Sequence, residues 1–340
     1  MAEYTIIGAG AIGAILGVSL IEAGHDVRFI EANRDHVEAV RAKGLTLSGH
    51  RDVTVTAPIF SPEEADWSLG RTLLAVKSRH TVEALRPHVD RLASDGFVVS
   101  LQNGLEEYKI AELVGDARTV GAFLTFGGHY KAPGEIVYGG PGSFKIGELN
   151  GAATDRIIAL QKAFSALQPV EATDNIFGFL WSKIALGAVY FATATTNSDV
   201  TELYADQRWR DLFGKLAGEV VAVAESRDVR LEVIDGFDPR VFRPGGDATP
   251  ASIDATWEGQ NRYWNRHEGK RTGVWRDLAI HKRKTEVDRF VGAVLEEASQ
   301  RGVATPGIAR LVEIVNEIER GEREQGRDSL VAIEAAYIAS

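Results

Sequence analysis

The sequence predicts an α/β domain with a doubly wound, mostly parallel sheet, followed by an all-α domain. Short β-branched runs alternate with helical patterns in the first half of the chain, and a glycine-rich turn follows the first strand. After Val170 the strand patterns give way to long helical patterns. These observations place the predicted domains at residues 1–173 and 174–340.

The first predicted domain contains four parallel strands connected by helices of crossover length. The predicted strands are Tyr4–Ile7, Val27–Glu31, Thr72–Val76 and Phe97–Leu101. The predicted helices are Ile12–Ala23, Asp35–Ala42 and Thr81–Leu92. Residues 119–147 alternate aromatic and β-branched residues between glycine and proline turns, which predicts antiparallel strands that extend the edge of the sheet.

The second predicted domain is helical. Its main helices are Ile176–Ala194, Trp209–Ser226, Lys282–Ala298 and Pro306–Arg320. Between them, residues 235–276 are rich in Pro, Gly, Asp, Arg and Trp, and this composition predicts an inserted loop. A loop of that length is typical of a functional lid or a mobile segment.

Composition excludes several classes of function. With 340 residues and 44% hydrophobic content, the chain can form two cores. A net charge of −10 disfavours binding to nucleic acid. The absence of cysteine excludes disulfides, thiolate nucleophiles and cysteine metal sites, and it fits a cytoplasmic enzyme.

The histidines show no spacing typical of metal ligands, so no metal is predicted. His80 and His88 flank a predicted helix and are expected to be solvated, and His129 lies in a glycine-rich loop.

Two apolar stretches resemble membrane segments only superficially. The N-terminal stretch lacks basic residues and follows Glu3, which is not typical of a secretory signal. The run Ile176–Ala194 contains Lys183 and is flanked by Asp174 and Asp199. We expect it to be a buried helix of a soluble protein without a membrane partner.

The turn at residues 8–13, with the sequence GAGAIG, carries the strongest functional signal. Gly8 permits a tight turn, Gly10 allows the backbone to approach a pyrophosphate, and Gly13 allows the helix to pack closely on the strand. Ala9, Ala11 and Ile12 complete the turn, and the N–H groups at the start of the helix attract phosphates. This arrangement predicts a Rossmann-type dinucleotide site.

Glu31, at the end of the second predicted strand, bears on the choice of cofactor. A carboxylate there can accept hydrogen bonds from both ribose hydroxyls and repels a 2′-phosphate, which favours NAD. Arg34 can reach a phosphate, so NADP stays open.

Several motifs together resemble the ketopantoate reductase family over nearly the whole chain. The glycine turn is followed by AVKSRHT at 75–81, SLQNGLE at 100–106, GEIVYGGPGSFKIGEL at 134–149, FGFLWSKIAL at 177–186 and KTEVD at 284–288. The resemblance implies a Rossmann domain, an all-helical domain and an active site in the cleft between them. It also implies reduction of a 2-keto acid to a 2-hydroxy acid with a hydride from NAD(P)H.

The resemblance assigns roles to two residues that follow predicted strands. It implies that Lys77 lies near the cofactor ribose and that Asn103 lies near the nicotinamide and the substrate. Both positions follow parallel strands, where open α/β sheets bind ligands.

Lys183 is the candidate catalytic acid. It is the one charged residue in the run Ile176–Ala194, and burial of its ammonium would be costly unless the group is paired or catalytic. The resemblance implies that Lys183 protonates the ketone oxygen and that Glu286 contacts the substrate and positions the lysine. The alternatives are that Lys183 extends its ammonium to the surface and that Glu286 forms an ordinary surface pair in the charged run 281–289.

Three positions depart from the pattern of the family. Where the resemblance implies two asparagines on the lysine helix, this chain has Gly187 and Phe191. Where it implies a serine, the chain has Val274, with Thr272 nearby as a substitute. Because polar contacts are lost and apolar room is gained, we expect a substrate other than ketopantoate.

The Trp- and Arg-rich residues 257–276 permit two interpretations. They can close over a larger or more aromatic 2-keto acid, with Arg262, Arg266 or Arg271 binding its carboxylate. Alternatively, Trp257, Trp264 and Trp275 anchor the segment to the helical core.

Two alternative functions remain at this stage. One is an NAD-dependent D-2-hydroxyacid dehydrogenase with a branched or aromatic substrate. The other is a dinucleotide-binding sensor without catalysis. The apolar character of the helical half also predicts a homodimer.

Overall fold

The computed structural model describes residues 3–266 and 269–339. The chain forms two compact units, Met1–Ile176 and Phe177–Ser340. The first unit is built on a mostly parallel sheet with helices, and the second is helical, which confirms the predicted fold class.

The described strands of the first unit form two sheets. Its strands are β1 (Tyr4–Ile7), β2 (Val27–Ile30), β3 (Leu45–Gly49), β4 (Val53–Val55), β5 (Ile59–Phe60), β6 (Leu69–Leu74), β7 (Leu92–Ser100), β8 (Thr119–Leu124), β9 (Gly128–Ala132), β10 (Glu135–Tyr138), β11 (Phe144–Glu148) and β12 (Glu171–Ala172). The main sheet has the order β12-β11-β8-β7-β6-β1-β2-β5, and β4-β3-β10-β9 form the second sheet. The predicted domain boundary, at 173–174, falls directly after β12.

The prediction for residues 119–147 is partly wrong. β11 pairs antiparallel with β8 and extends the main sheet as expected, but β8 itself is parallel to β7. β9 and β10 leave the main sheet, and β10 pairs with β3 through contacts such as Ile136 opposite Leu47. Ile136 and Leu47 are fully buried, and they belong to the same hydrophobic core as Ile6 of β1 and Ile15 of the helix that follows it.

The helices of the first unit are α1 (Ala11–Glu22), α2 (Arg34–Lys43), α3 (Thr81–Leu85), α4 (Glu106–Val114) and α5 (Asp155–Phe164). Helix α1 contacts β1 and β2 of the main sheet and β3, β9 and β10 of the second sheet. Because α1 is covered on two sides, it is apolar around most of its circumference. Its residues 13–20 are all buried.

The helix predicted at Thr81–Leu92 ends early. α3 stops at Leu85, residues Arg86–Arg91 form a 3₁₀ turn, and Leu92 begins β7. Pro87 lacks an N–H and disfavours a continued α-helix. His88 is 2% exposed and its Nδ1 accepts from Arg91 Nη2 at 2.9 Å, so the expectation of a solvated His88 is wrong. His80 is exposed.

The second unit is formed by helices α6 (Ile176–Ala194), α7 (Val200–Ala205), α8 (Gln207–Glu225), α9 (Pro250–Asn265), α10 (Gly273–Arg276), α11 (Val287–Phe290), α12 (Ala293–Arg301), α13 (Pro306–Glu319) and α14 (Arg327–Ala339). α6 is long and apolar enough to cross a membrane, with a mean hydropathy of 1.5, but 78% of its apolar window is buried inside the protein. This burial fits the interpretation of the run as a core helix.

The prediction that residues 235–276 form a loop is wrong for their centre, which is helix α9. Thr249 caps this helix by accepting from the Ser252 N–H at 3.2 Å, and Pro250 occupies its first turn. Trp257, 1% exposed, packs against Tyr204 and Phe242 at ring distances of 5.2 Å. Buried aromatic packing therefore outweighs the loop-like composition of the segment.

The helix predicted at Lys282–Ala298 is interrupted. Lys282 adopts a left-handed conformation with φ 46°, and regular helix resumes only at Val287. As a result, Glu286 occupies the N-cap of α11 instead of a helix interior.

Candidate active site

The carboxyl ends of four adjacent strands lie at one level of the main sheet. Ile7 of β1 pairs with Ile30 of β2 and with Leu74 of β6, and Leu74 pairs with Ser100 of β7. The chain continues from these strands into the glycine turn, Glu31, the Lys77 loop and the Asn103 loop. Along the chain, β2 is added on one side of β1, whereas β6 and β7 are added on the other side. The strand order therefore reverses at β1, which is the topological position where open α/β sheets bind ligands.

The glycine turn has the geometry that a dinucleotide phosphate requires. Gly8 has φ +99°, which only glycine adopts readily. A Cβ on Gly13 would lie 2.0 Å from the Gly8 carbonyl oxygen, so α1 approaches the turn too closely for any side chain there.

Gly10 differs from these two glycines. A Cβ on Gly10 would meet no atom of the described chain within 4 Å, so the turn presents open backbone at this point. Gly10 is the N-cap of α1, and within the described residues no side chain caps the helix. The N–H groups that begin α1, at Ala11 and Ile12, therefore suit an anionic ligand, and the residues present fit a pyrophosphate.

Glu31 lies directly against this turn. Its Oε2 accepts from the Ala9 N–H at 2.8 Å, and its Oε1 accepts from the Asn33 N–H at 2.8 Å. The carboxylate is half-buried, and Arg34 is exposed at the first residue of α2. The predicted ribose-binding carboxylate and the predicted phosphate turn are thus in contact.

Lys77 and Asn103 follow neighbouring strands at the same edge. Lys77 is exposed at the start of a 3₁₀ turn, and Asn103 is half-buried. Sequence reasoning missed Gln102, whose Nε2 donates to the Val76 carbonyl and to the Thr81 hydroxyl, both at 2.9 Å. Gln102 therefore ties the two loops together and sets their spacing.

Lys183 occupies the middle of α6 and is half-buried, whereas its neighbours Ser182 and Ile184 are fully buried. The hydroxyl of Ser182 accepts from the Glu232 N–H at 3.0 Å and fixes this part of the helix. Lys183 is neither sealed in the core nor fully exposed, and partial exposure suits a group that exchanges protons with a ligand.

Glu286 is also half-buried, at the N-cap of α11. The preceding residue, Thr285, is held by Glu319, whose Oε1 accepts from the Thr285 N–H at 2.8 Å and from its hydroxyl at 2.6 Å. Sequence reasoning missed Glu319, which fixes the start of the KTEVD motif.

Helices α6 and α11 meet at Gly187. A Cβ on Gly187 would lie 2.2 Å from Cε1 of Phe290, and the Phe290 ring lies 6.1 Å from the ring of Phe191. The room that Gly187 was expected to leave for a substrate is filled by Phe290. One helical turn separates Gly187 from Lys183, and one turn separates Phe290 from Glu286.

The other predicted substrate residues lie at α10. Thr272 is 3% exposed, and its hydroxyl accepts from the Trp275 N–H at 3.1 Å, so it serves as the helix cap. Val274 is half-buried.

The three arginines that were candidates for binding a carboxylate differ in their surroundings. Arg262 is exposed and lies 3.7 Å from Glu258. Arg271 pairs with Asp199 at 3.2 Å, and Arg266 is exposed.

The tryptophans of the segment 257–276 divide into two groups. Trp257 and Trp264 are buried in the helical core, as the anchoring interpretation expects. Trp275 is half-buried. It lies under the Arg271 guanidinium, 4.3 Å from the ring centre, and its indole N–H donates to Asn197 Oδ1 at 3.2 Å.

Residues 267 and 268 lie outside the described part of the chain. Across the described ranges, no group of His, Asp or Glu residues is arranged to hold a metal ion.

Two family models match the chain. The model described as ketopantoate reductase PanE/ApbA matches residues 4–151, and its C-terminal counterpart matches residues 175–319.

Individual ketopantoate reductases are also similar to this chain. A 2-dehydropantoate 2-reductase of Pyrococcus abyssi is 30% identical over 306 residues, which cover 88% of this chain and 92% of that protein. The crystal structure of a PanE/ApbA family ketopantoate reductase from Ralstonia eutropha JMP134 superposes with a TM-score of 0.75 at 26% identity, and the match covers 94% of this chain and 99% of that one.

A further similar structure is the ternary structure of D-mandelate dehydrogenase with NADH and anilino(oxo)acetate. Its TM-score is 0.76 at 21% identity, with coverage of 94% of this chain and 99% of that one. At this identity the likeness establishes the shared fold.

Proposed function

Because the chain belongs to the ketopantoate reductase PanE/ApbA family, we propose that it reduces a 2-keto acid to a 2-hydroxy acid, with Lys183 as the proton donor. The protein is an NAD(P)-dependent oxidoreductase that acts on CH–OH groups. The observation that carries the proposal is the common level at which β1, β2, β6 and β7 end, because it gathers the glycine turn, Glu31, Lys77 and Asn103 at one edge.

Each of the candidate residues has a role in the proposed reduction. Bound NAD(P)H would supply a hydride for carbon 2 of the substrate. Gly8, Gly10 and Gly13, with Ala9, Ala11 and Ile12, would hold the pyrophosphate. Lys77 would lie near the ribose, and Asn103 would lie near the nicotinamide and the substrate. The Lys183 ammonium gives its proton to the ketone oxygen as the carbonyl π bond breaks, and its charge stabilises the developing alkoxide. Glu286 orients the substrate and the lysine.

We propose NADH as the preferred cofactor. The proposal is supported by the Glu31 carboxylate, which accepts from the Ala9 N–H and whose charge would repel a ribose 2′-phosphate. The kcat/KM for NADH should therefore exceed that for NADPH. Glu31→Gln should reduce the ratio of the two values because the neutral amide no longer repels a 2′-phosphate, while its oxygen can still accept the hydrogen bond from Ala9. Glu38→Gln, on the exposed side of α2, is the matched control. A ratio that does not change in Glu31→Gln would contradict this assignment.

A second candidate function is a D-2-hydroxyacid dehydrogenase for branched or aromatic substrates. The half-buried Phe290 ring, packed on Gly187 and beside Phe191, places apolar surface one helical turn from Lys183. Such a surface favours an apolar substituent on the substrate over a hydroxylated one. The structural similarity to a D-mandelate dehydrogenase supports this candidate.

A panel of 2-keto acids tests both candidates. The purified chain is assayed with ketopantoate, branched and aromatic 2-keto acids, each with NADH and NADPH. Reduction of ketopantoate with the highest kcat/KM supports the first candidate, and preference for an aromatic or branched acid supports the second. Cofactor binding without turnover of any member would overturn both and would favour a dinucleotide sensor.

We further propose that the chain forms a homodimer and acts in the cytoplasm. Val331 and Ile338, on one face of α14, are 44% and 85% exposed and offer apolar surface to a second copy. The absence of cysteine suits a reducing compartment. Light scattering during size-exclusion chromatography should give twice the chain mass, and a monomer at all concentrations would contradict the dimer.

A further inference from the structure

A buried histidine that the sequence analysis did not single out links the glycine turn to the second sheet. His36, in the first turn of α2, is 1% exposed. Its Nε2 lies 3.0 Å from the carbonyl oxygen of Ala9, inside the glycine turn. Its Nδ1 accepts from the N–H of Gly134, in the turn between β9 and β10, at 2.9 Å.

These two partners determine the protonation state of the ring. The Gly134 N–H can only donate and the Ala9 carbonyl can only accept, so both bonds form when the proton is on Nε2 and Nδ1 is bare. A second proton, on Nδ1, would face the Gly134 N–H and break that bond. The buried Gly134 N–H would then lose its partner, which is costly.

The charges around the ring agree with this assignment. Burial lowers the pKa of His36, and the nearby carboxylate of Glu31, at the end of β2, opposes that effect. From the β9–β10 hairpin the ring meets Tyr130 at 5.2 Å, and burial raises the pKa of that phenol. On the same hairpin Lys131 is paired with Glu135 at 2.9 Å, and Asp35 of α2 is exposed.

Ala9 is thereby held at both of its backbone groups. Its N–H donates to Glu31 at 2.8 Å, and its carbonyl accepts from His36. Ala9 lies between Gly8 and Gly10, the two glycines whose backbone forms the phosphate turn. A turn fixed in this way before the ligand arrives loses less conformational entropy on binding.

We propose that neutral His36 is a positioning residue for the dinucleotide turn because it ties Ala9 to the β9–β10 turn, and that its protonation breaks the bond to Gly134 and thereby weakens cofactor binding. The inference rests on the proposed function for the identity of the ligand. It adds a residue outside the glycine motif and a pH dependence of binding, separate from the proton transfer by Lys183.

Two substitutions separate the two hydrogen bonds. His36→Gln keeps a donor near the position of Nε2 but does not titrate, and His36→Asn keeps an acceptor near Nδ1 but loses the bond to Ala9. His88→Gln is the matched control, since His88 is also buried in the first unit, with its pKa lowered by burial and then by Arg91. The Kd for NADH is measured by protein fluorescence from about pH 8 to about pH 5.5, the range in which histidine titrates.

The wild-type Kd should rise severalfold towards the acid end of this range, where His36, whose pKa is lowered by burial, begins to take up its second proton and loses the bond to Gly134. His36→Gln lacks the acceptor for the Gly134 N–H, so it should bind more weakly than wild type at high pH and show a flatter pH profile. His36→Asn should bind about tenfold more weakly at every pH. His88→Gln should lower the melting temperature and leave both the Kd and its pH profile unchanged.

The outcomes distinguish this inference from the proposed function. If the wild type binds neither NADH nor NADPH at high pH, the proposed function and the inference about His36 are both overturned. If the wild type binds NADH but the His36 variants share its Kd and pH profile, only the inference is overturned, even when their melting temperatures fall. NMR titration of the free protein provides an independent readout, and a His36 pKa at or above the ordinary histidine value would also overturn the inference.

Discussion

The two units hold their proposed functional residues in different ways. In the first unit, the register of four parallel strands places the functional groups, because Ile7, Ile30, Leu74 and Ser100 lie side by side. In the second unit, the packing of one aromatic side chain on a glycine brings α6 against α11. Backbone pairing fixes the positions of the groups in the first unit. In the second unit, the contact depends on the Phe290 side chain, which can rotate.

Substitution of two glycines, Gly13 and Gly187, can measure this difference between the two units. A Cβ on Gly13 would lie 2.0 Å from a backbone oxygen, that of Gly8, and a Cβ on Gly187 would lie 2.2 Å from the ring of Phe290. The overlaps are similar in size, but only the ring can move without displacing a strand. The same substitution at both positions should therefore have different costs.

The largest effect is expected for Gly13→Ala. Since α1 must shift away from β1 and both are in the core, the unfolding free energy should fall by about 3 kcal/mol or more, at or beyond the upper range for overpacking. NADH binding should be lost with it. Denaturant unfolding measures the change, and a loss similar to that of Gly187→Ala would contradict the backbone account.

A smaller effect is expected for Gly187→Ala, about 1–2 kcal/mol, because the Phe290 ring can turn aside. In a Phe290→Ala background the same change should cost little or should stabilise α6, since alanine favours helix by about 1 kcal/mol over glycine. Denaturant unfolding of the four proteins of this cycle gives the coupling. Additive costs would show that Gly187 and Phe290 do not interact in solution.

The smallest effect on stability is expected for Gly10→Ala, since the added methyl meets no described atom within 4 Å. The melting temperature should stay unchanged. The Kd for NADH should rise about tenfold, because the methyl occupies the surface that the pyrophosphate approaches. Calorimetric titration with NADH checks the result, and unchanged affinity would show that the phosphate does not approach Gly10.

Much of the first unit could be predicted because its chemistry is local in sequence. Gly8, Gly10, Gly13 and Glu31 lie within one strand–turn–helix–strand segment, where strand length and φ requirements determine geometry. His36 could not be found in this way, because its bond to Gly134 spans 98 residues and depends on a second sheet.

The second unit was harder to predict because distant packing decides its local structure. Helix α9 has a composition typical of loops, and the signal for it was the Thr249-Pro250 start, a cap followed by proline. The contact of Phe290 with Gly187 had no signal in the sequence, because spacing along one helix does not show which ring of another helix it meets.

The most direct test of the account is a comparison of cofactor binding and turnover in Lys183→Ala. Lys215→Ala, on the exposed side of α8, is the control. For the 2-keto acid that the wild type prefers, Lys183→Ala should lower kcat by about 10²–10⁴-fold, the contribution of a general acid, and leave the Kd for NADH unchanged. Full turnover in Lys183→Ala would contradict the assignment of the proton donor and, with it, the proposed mechanism.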